Sequence, residues 1–252
     1  MTTIAVNGFE MYFEDRGSGE PLLLLHGGMG IGADWRHVFP QDPPSYRVVV
    51  PDLRGHGRST SPDEPFTIRR CAGDVLALLD ALDIRRVKAI GLSLGAKTLL
   101  HVATAQPSRV DAMVLVSATP YFPQPLRDAA AAFTRASLER LPAVERDALR
   151  VRHVHGDEQV ARLYDMTRSF ATSRDDMAFT AAMLGLITAR TLIVHGERDP
   201  YYPGEMALKL AHGIPSSTLW IVPGGPHGPV FGTLAGPFAS RALAFLAAPA
   251  SL

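Results

Sequence analysis

A serine between two glycines marks the most informative turn of this 252-residue chain. The segment Val87–Leu100 reads VKAIGLSLGAKTLL, an apolar run followed by Gly91–Gly95 and then by apolar residues at helical spacing. This pattern predicts a strand, a sharp turn and a helix, with Ser93 at the corner and its hydroxyl directed away from the sheet. Glycines two residues before and after the serine leave room where a Cβ would strike a neighbouring element.

A serine hydroxyl is a weak nucleophile at neutral pH, so a base and a carboxylate that orients the base are needed. In parallel sheets, functional groups gather at the carboxyl ends of the strands. Asp199 follows the apolar run Thr191–Val194, and His227 follows Thr218–Val222. The chain order Ser, Asp, His agrees with the order that this topology requires. We therefore predict that Ser93 is a nucleophile, His227 its base and Asp199 the orienting acid.

Two other carboxylates are alternatives for the acid. Glu197 lies two residues before Asp199 and could orient the same imidazole. Asp52 follows the apolar run Tyr46–Val50 and is a more distant candidate.

Backbone N–H groups are expected to stabilise an oxyanion near the serine. Leu94 opens the predicted helix, so its N–H should face the group that Ser93 attacks. A second N–H should come from the glycine-rich loop that follows the apolar run Pro21–Leu25. We predict Gly28 for this role, with Met29 as the alternative, because glycines without a Cβ let a carbonyl approach the backbone.

Alternating strand and helix patterns predict an α/β fold with a mostly parallel central sheet flanked by helices. The alternation of strand and helix patterns ends near residue 120. Helical patterns dominate after that point and are separated by proline and glycine residues. We therefore predict a core of residues 1–120 and 189–252, with a helical cap at 121–188 inserted into it. The predicted helices of this insertion are Ala129–Leu138, Ala143–Val151, Glu158–Phe170 and Asp175–Leu186.

Charge and composition narrow the possible partners. The chain has 46% hydrophobic residues, enough for a large core. Its 25 basic and 25 acidic residues give a net charge of zero, which argues against a nucleic-acid surface or an electrostatic membrane anchor. The amino terminus shows no signal-peptide pattern, and no apolar run approaches the ~20 residues of a membrane helix, so we expect a cytoplasmic protein. The single cysteine, Cys71, excludes an internal disulfide and a cysteine-cluster metal site. We expect a small-molecule substrate and no metal or organic cofactor.

Four motifs together resemble the α/β-hydrolase superfamily. They are HGGMG at 26–30, PDLRGHGRS at 51–59, GLSLG at 91–95, and the late pair HGERD at 195–199 and GGPHG at 224–228. The resemblance spans almost the whole chain and is loosest in the predicted cap. It implies the α/β-hydrolase fold and supports the same three roles for Ser93, Asp199 and His227.

Within that superfamily, the chain is similar to small bacterial esterases, lactonases and carbon–carbon bond hydrolases. Enol-lactonases carry a similar serine turn and a helix like Asp74–Leu82. Haloalkane dehalogenases and epoxide hydrolases have aspartate at the nucleophile position, so Ser93 argues against both. The resemblance implies hydrolysis of a carboxylic ester or lactone through an acyl-enzyme. The alternatives are a carbon–carbon hydrolase of the β-diketone type and a slow-turnover small-molecule receptor.

Apolar side chains of the predicted cap, with two residues after the base, are expected to line a pocket for a small or medium uncharged acyl group. These candidates are Tyr121, Phe122, Phe133, Met166, Phe170, Met183, Leu184, Val230 and Phe231. The cap arginines occupy helical positions that we expect to face water. They include Arg127, Arg135, Arg152 and Arg168.

Overall fold

A computed structural model describes residues 2–249, and an eight-stranded sheet runs through their middle. The strands are β1 (Thr2–Val6), β2 (Phe9–Gly17), β3 (Glu20–Leu25), β4 (Tyr46–Pro51), β5 (Val87–Leu92), β6 (Val110–Val116), β7 (Arg190–Gly196) and β8 (Ser217–Val222). Their spatial order is β1-β2-β4-β3-β5-β6-β7-β8. The pairs β1·β2 and β2·β4 are antiparallel, and every later pair is parallel. The predicted mostly parallel sheet is therefore confirmed.

Helices follow most strands and cover the sheet. The α-helices of the described residues are α1 (Ile68–Ala81), α2 (Leu94–Ala105), α3 (Gln124–Ala131), α4 (Arg135–Glu139), α5 (Ala143–Arg152), α6 (Asp157–Ser169), α7 (Ala181–Leu184), α8 (Gly204–Gly213) and α9 (Ala235–Ala247). Short 3₁₀ helices occupy Gly32–His37, Pro107–Arg109 and Gly232–Leu234. Among residues 2–249, no helix combines the length and the apolar character that crossing a membrane requires.

The central strands are buried on both faces, which explains why they appear as unbroken apolar runs. Along β3, Leu23 and Leu25 join the hydrophobic cluster that includes residues of α1, α2 and α8. Leu22 and Leu24 point the other way and join a second cluster with Trp35 and residues of α9. The two clusters hold the sheet between two helical layers.

The segment between β6 and β7 is helical, but two of its predicted helices differ from the structure. The predicted helix Ala129–Leu138 is split into α3 and α4, because Thr134 adopts an extended backbone and its side chain caps α4. The predicted helix Asp175–Leu186 is reduced to α7. Asp176 instead accepts hydrogen bonds from the first backbone N–H groups of α1, and Ala178 forms a β-bridge with Tyr121.

A buried ion pair joins α1 to the loop after β4. The Arg54 guanidinium donates to both carboxylate oxygens of Asp74, with Nη2 lying 2.7 Å from Oδ1. The two side chains are 3% and 0% exposed. Asn7 also donates to Asp74 Oδ1 at 2.8 Å, so the β1–β2 turn depends on the same carboxylate. Removing one partner of such a pair leaves an uncompensated buried charge.

Asp74→Asn should therefore lower the free energy of unfolding by about 3 kcal/mol or more, because the Arg54 charge would stay buried without its counter-ion. Asp15→Asn is the matched control, since Asp15 pairs with Arg47 at the surface. Its loss should be below about 1 kcal/mol. Urea denaturation of both variants measures the difference. Equal losses would contradict the importance of burial at Asp74.

Candidate active site

Ser93 lies at a strained corner between β5 and α2. Its backbone has φ 49° and ψ −99°, a conformation that costs a non-glycine residue about 1–3 kcal/mol. A Cβ on Gly91 would lie 2.6 Å from the Ala96 nitrogen, and a Cβ on Gly95 would lie 2.3 Å from the Leu25 oxygen. Both glycines are therefore required for the helix to pack this closely. The turn lifts the serine out of the sheet at its carboxyl edge.

His227 and Asp199 meet at the same edge of the sheet. His227 Nδ1 lies 2.7 Å from Asp199 Oδ2, and Asp199 Oδ1 accepts the backbone N–H groups of Tyr201 and Tyr202. Burial alone would raise the pKa of the Asp199 carboxyl. The hydrogen bond and charge of His227, together with the two N–H groups, outweigh burial and hold that pKa below its ordinary value. Asp199 thus stays ionised and fixes the imidazole with its Nε2 free.

The alternative acids have other partners. The exposed Glu197 accepts the backbone N–H of Gly224 at 2.6 Å. Asp52 is buried and accepts the N–H groups of Gly32 and Arg58, which braces two loops. The imidazole is therefore paired with Asp199.

Tyr202 is a residue of this region that the sequence patterns do not single out. It is 1% exposed, and its ring packs edge-on to His227 with centroids 5.0 Å apart. Within residues 2–249, no hydrogen bond joins Ser93 to His227, an arrangement common before substrate binds. Burial raises the pKa of Tyr202, so its phenol keeps its proton.

Lys97 completes this group from one turn further along α2. Its Nζ donates to the Tyr202 hydroxyl at 2.8 Å. Three aromatic rings surround Nζ at 5.2–5.4 Å from their centroids, those of Phe122, Phe170 and Tyr202. The side chain is 2% exposed, and burial lowers the pKa of Lys97 to about 7.

The predicted oxyanion groups lie at the start of α2 and in the glycine-rich loop after β3. Leu94 is the first residue of α2, and the next N–H, from Gly95, donates to the His26 oxygen at 3.0 Å. This bond fixes the glycine-rich loop against the helix. Met29 has φ 58°, and Gly28 is exposed, with nothing within 4 Å of where a Cβ would be. The backbone of Gly28 is therefore accessible to a ligand.

The nine predicted lining residues lie in different surroundings. Phe122 and Phe170 stack on each other, with centroids 4.9 Å apart, and are buried with Met166 in the cluster that contains α2. Phe133 packs on Tyr164 of α6. Among the other candidates of the inserted segment, Leu184 is buried against Gly213, Tyr121 accepts a hydrogen bond from Lys209, and Met183 is exposed. Phe231, which follows His227, is also exposed.

Two expectations for side chains near the site are wrong. Val230 is fully buried in the cluster on the α9 face of the sheet, so its side chain is not available to a substrate. Arg127 was expected to face water, yet it is 7% exposed. Its guanidinium donates to the carbonyl oxygens of Phe122, Ala171 and Ser173 and so holds the inserted segment together. A long helical segment with short loops leaves carbonyl groups to satisfy, and arginine has enough donors to do so.

A cavity of about 360 Å³ lies between residues 54–66 and α6. Phe66 and Met166 line it, whereas Ser93, Asp199 and His227 do not. Ser93 and His227 are instead half-buried and can be reached from solvent at the strand ends. Over the described part of the chain, no group of three or more His, Cys, Asp or Glu side chains could hold a metal ion.

One sequence signal could have revealed Lys97. The helix LGAKTLLHVATA is otherwise apolar or small through its first two turns, so a lysine four residues after the serine falls on the same face as the serine. Tyr202 gives a weaker signal, because its only mark is its position three residues after Asp199.

Comparisons with known proteins agree with this geometry. The pattern of the alpha/beta hydrolase fold family matches residues 20–232. The chain is 27% identical over 242 residues to the 2-hydroxy-6-oxo-6-(2'-aminophenyl)hexa-2,4-dienoic acid hydrolase of Metapseudomonas resinovorans, covering 89% of this chain and 83% of the relative. It is 29% identical over 241 residues to the 2-hydroxy-6-oxononadienedioate/2-hydroxy-6-oxononatrienedioate hydrolase of Cupriavidus pinatubonensis, covering 84% and 82%. The enol-lactonase structure from Burkholderia xenovorans LB400 shares the fold, with a TM-score of 0.77, 22% identity and coverage of 98% and 100%.

The buried lysine predicts a pH-dependent stability. Lys97 loses its proton near pH 7 in the folded protein, but only near pH 10.4 when unfolded. Between these values the unfolded chain binds more protons, so the free energy of unfolding should rise with pH. Lys97→Met should remove this slope between pH 7 and 9.5 and stabilise the protein at pH 7.

Urea denaturation at pH 7 and pH 9.5 measures the slope. Lys209→Met is the control, because Lys209 lies at the surface of α8 and should leave the slope between these pH values unchanged. The same slope in Lys97→Met and the wild type would show that Lys97 ionises normally.

Proposed function

We propose that this chain, which belongs to the α/β-hydrolase fold family, hydrolyses the carbon–carbon bond beside a ketone in a 2-hydroxy-6-oxo-dienoate. The observation that carries the proposal is the similarity to two hydrolases named for such substrates, which extends over more than four fifths of this chain. The three residues at the strand ends, Ser93, Asp199 and His227, supply the chemistry that the proposal needs.

The names of these relatives' substrates favour carbon–carbon cleavage over ester cleavage. A 2-hydroxy-6-oxo-dienoate contains a ketone, an enol and a carboxylate, and no ester or lactone. Hydrolysis of its backbone must therefore break a bond from the ketone carbon to carbon. The relatives' substrates therefore support a carbon–carbon hydrolase of the β-diketone type better than a hydrolase of an ester or lactone.

The proposed reaction uses each residue for a stated step. Ser93 Oγ attacks the ketone carbon while its proton passes to His227 Nε2, and Asp199 stabilises the imidazolium. The N–H groups of Leu94 and Gly28 hold the oxyanion. Before cleavage the enol proton of the substrate moves to the carbon beside the ketone, which leaves a 2-oxo group conjugated with the remaining alkene. The carbon–carbon bond then breaks, its electron pair is delocalised onto that 2-oxo group, and the departing fragment takes the proton from His227. Water, activated by the same imidazole, then hydrolyses the acyl-enzyme ester, which releases the second carboxylic acid product and restores Ser93.

Residues 121–188 are proposed to form the cap of this site, since Phe122 and Phe170 of this segment pack over the amine of Lys97, which lies one helical turn after Ser93 on α2. A small-molecule substrate entering between the segment and the strand ends would contact apolar side chains, which suits a dienoate with an apolar substituent.

A serine esterase or lactonase is the second candidate. The same nucleophile, base and oxyanion groups act on an ester carbonyl, and an alkoxide or enolate oxygen leaves more readily than carbon. The similarity in fold to an enol-lactonase is compatible with this reading.

A substrate panel separates the two candidates. The purified protein is offered 2-hydroxy-6-oxo-6-phenylhexa-2,4-dienoate, p-nitrophenyl esters of graded length and an enol-lactone. We expect the largest kcat/KM for the dienoate, whose hydrolysis is monitored by the loss of its visible absorbance. We expect no turnover by Ser93→Ala. A larger kcat/KM for the esters or the lactone would reject the carbon–carbon proposal in favour of the second candidate. Binding without turnover of any of them would indicate a receptor.

The identity of the acid can be tested on whichever substrate turns over. Asp199→Asn should lower kcat by roughly 10²–10⁴-fold, because an amide favours the wrong imidazole tautomer. Glu197→Gln is the matched control and should keep most of the activity, since the Glu197 carboxylate accepts the Gly224 N–H, whereas the imidazole is paired with Asp199. A larger loss in Glu197→Gln than in Asp199→Asn would show that the acid has been assigned wrongly.

A further inference from the structure

We infer that Arg152 and His153, at the end of α5, position the glycine-rich loop after β3, so that the inserted segment sets where the Gly28 N–H lies. Both are positioning residues, because they act through the loop and not on a substrate. The inference rests on the proposed function only in that Ser93 is the nucleophile and Gly28 an oxyanion donor. It does not depend on which bond is cleaved.

The glycine-rich loop, residues 26–30, has few conformational constraints of its own. Three of its five residues are glycine, the residue with the widest range of backbone conformations. An internal hydrogen bond joins the Gly30 N–H to the Gly27 oxygen at 3.1 Å, and Gly28 lies within the turn that this bond closes. The position of Gly28 therefore depends on where the two ends of the loop are held.

Arg152 holds the end of the loop that leads into the first 3₁₀ helix. Its Nη2 lies 2.5 Å from Asp34 Oδ2. The same oxygen accepts the backbone N–H of Ile31, the residue that follows the loop, at 3.0 Å. The Arg152 and Asp34 side chains are 34% and 21% exposed, so the ion pair is partly shielded from solvent. One carboxylate thus ties Ile31 to the last residue of α5.

His153 holds the other end of the loop. Its Nδ1 accepts the Gly57 N–H at 2.9 Å, and its ring packs against the His56 ring with centroids 6.0 Å apart. The His56 ring packs in turn against the ring of His26, the first residue of the loop, with centroids 5.0 Å apart. All three imidazoles are buried. A continuous series of rings therefore leads from the end of α5 to the loop.

The hydrogen bonds determine which nitrogen of each outer ring carries the proton. A backbone N–H can only donate, so His153 Nδ1, which accepts from Gly57, has no proton. His26 Nε2 accepts the Leu53 N–H at 2.9 Å, so its Nδ1 donates to the Gly27 oxygen at 2.7 Å. Burial lowers the pKa of both imidazoles, so both are neutral at pH 7. Each ring is therefore held in one orientation.

The turn at Gly57 is fixed to the core as well as to the inserted segment. Gly57 has φ 56°, and a Cβ there would lie 2.1 Å from Asp52 Oδ2. Its oxygen accepts the Val154 N–H at 3.2 Å. Asp52 accepts the N–H groups of Arg58 and Gly32. Asp52 therefore connects this turn to the start of the first 3₁₀ helix, so the two ends of the loop share one frame.

The inserted segment has other attachments to the core. Gln159 donates to three carbonyl oxygens of the loop after β4, and Asp176 accepts the first N–H groups of α1. These contacts would remain if Arg152 and His153 were replaced. Loss of either residue should therefore release one end of the glycine-rich loop without detaching the segment. This separates a positioning role from a general structural one.

A pair of ketones measures the strength of the oxyanion donors. Phenethyl trifluoromethyl ketone is attacked by Ser93 Oγ, whose proton passes to His227, and its carbonyl oxygen becomes an oxyanion in the adduct. Phenethyl methyl ketone has the same apolar part, but its carbonyl is too weakly electrophilic to form a stable adduct. It therefore reports on the pocket alone. Isothermal titration calorimetry gives the dissociation constant of each ketone for each variant.

Arg152→Met should weaken the binding of the trifluoromethyl ketone roughly tenfold and leave that of the methyl ketone unchanged. Complete removal of one oxyanion donor costs about 10²–10³-fold in rate, and a displaced donor keeps part of this stabilisation. His153→Leu should have a similar effect. His153→Asn should restore most of the affinity, because the amide oxygen of that variant can accept the Gly57 N–H in place of Nδ1.

Arg150→Met is the matched control. Arg150 lies on the same helix, but it pairs with Asp147 and Asp157 inside the inserted segment, so its replacement should leave the affinity for both ketones unchanged. Ser93→Ala should bind the trifluoromethyl ketone no more tightly than the methyl ketone. Circular dichroism melts identify the variants that are folded. Arg152→Met is the deciding variant, because its side chain is partly exposed and its loss leaves no buried cavity.

Each result has a distinct meaning. Wild-type affinity for the trifluoromethyl ketone in folded Arg152→Met would overturn the inference and leave the proposed function intact. Equal weakening of both ketones would also overturn it, because these residues would then shape the pocket instead of the loop. Equal affinities of the wild type for the two ketones would reject Ser93 as the nucleophile and both proposals with it. The expected ketone affinities without turnover of the dienoate would support the inference and reject the carbon–carbon proposal alone.

Discussion

The close approach of α2 to β3 is the constraint on which the rest of the site depends. Gly95 packs against the Leu25 carbonyl, where a Cβ would lie 2.3 Å from the oxygen, and its N–H donates to His26. The same contact therefore holds the helix, the strained Ser93 backbone and the loop that carries Gly28. Because one packing contact fixes all three, Ser93 and the candidate oxyanion groups cannot shift independently. The strain at Ser93 persists because the surrounding packing over-determines it.

The inserted segment is attached to the core by polar contacts as well as apolar ones. Gln159 donates to carbonyl oxygens of the loop after β4, at Gly55, Gly57 and Ser59. The Gly57 N–H in turn donates to His153 Nδ1, and Asp176 caps the amino terminus of α1. These bonds satisfy backbone groups that would otherwise be buried without partners. They fix the orientation of the segment over the strand ends more specifically than apolar packing alone would.

The sheet could be predicted from the sequence because its strands are buried on both faces and appear as apolar runs, as Leu22–Leu25 shows. The pairing of His227 with Asp199 was also predictable, since parallel strands deliver their following loops to one edge. The prediction of a helix at Asp175–Leu186 was wrong because Asp176 accepts a hydrogen bond from the amino terminus of α1. This is a tertiary contact that the local sequence pattern does not encode. The prediction that Val230 lines the pocket was wrong for a similar reason, because the residues around it in the sequence do not indicate which face of the sheet it packs against.

The sequence signal at Lys97 is weak, because lysine is among the residues most often exposed and only the assembled site explains its burial. The four residues Asp199–Tyr202 supply that explanation. Asp199 Oδ2 holds the imidazole of His227, while Oδ1 holds the backbone N–H of Tyr202 and so sets where the phenol meets Lys97. The two oxygens of one carboxylate thereby position both the imidazole and the phenol. A short loop after β7 couples these two side chains, so a change in the orientation of Asp199 would displace the imidazole and the phenol together.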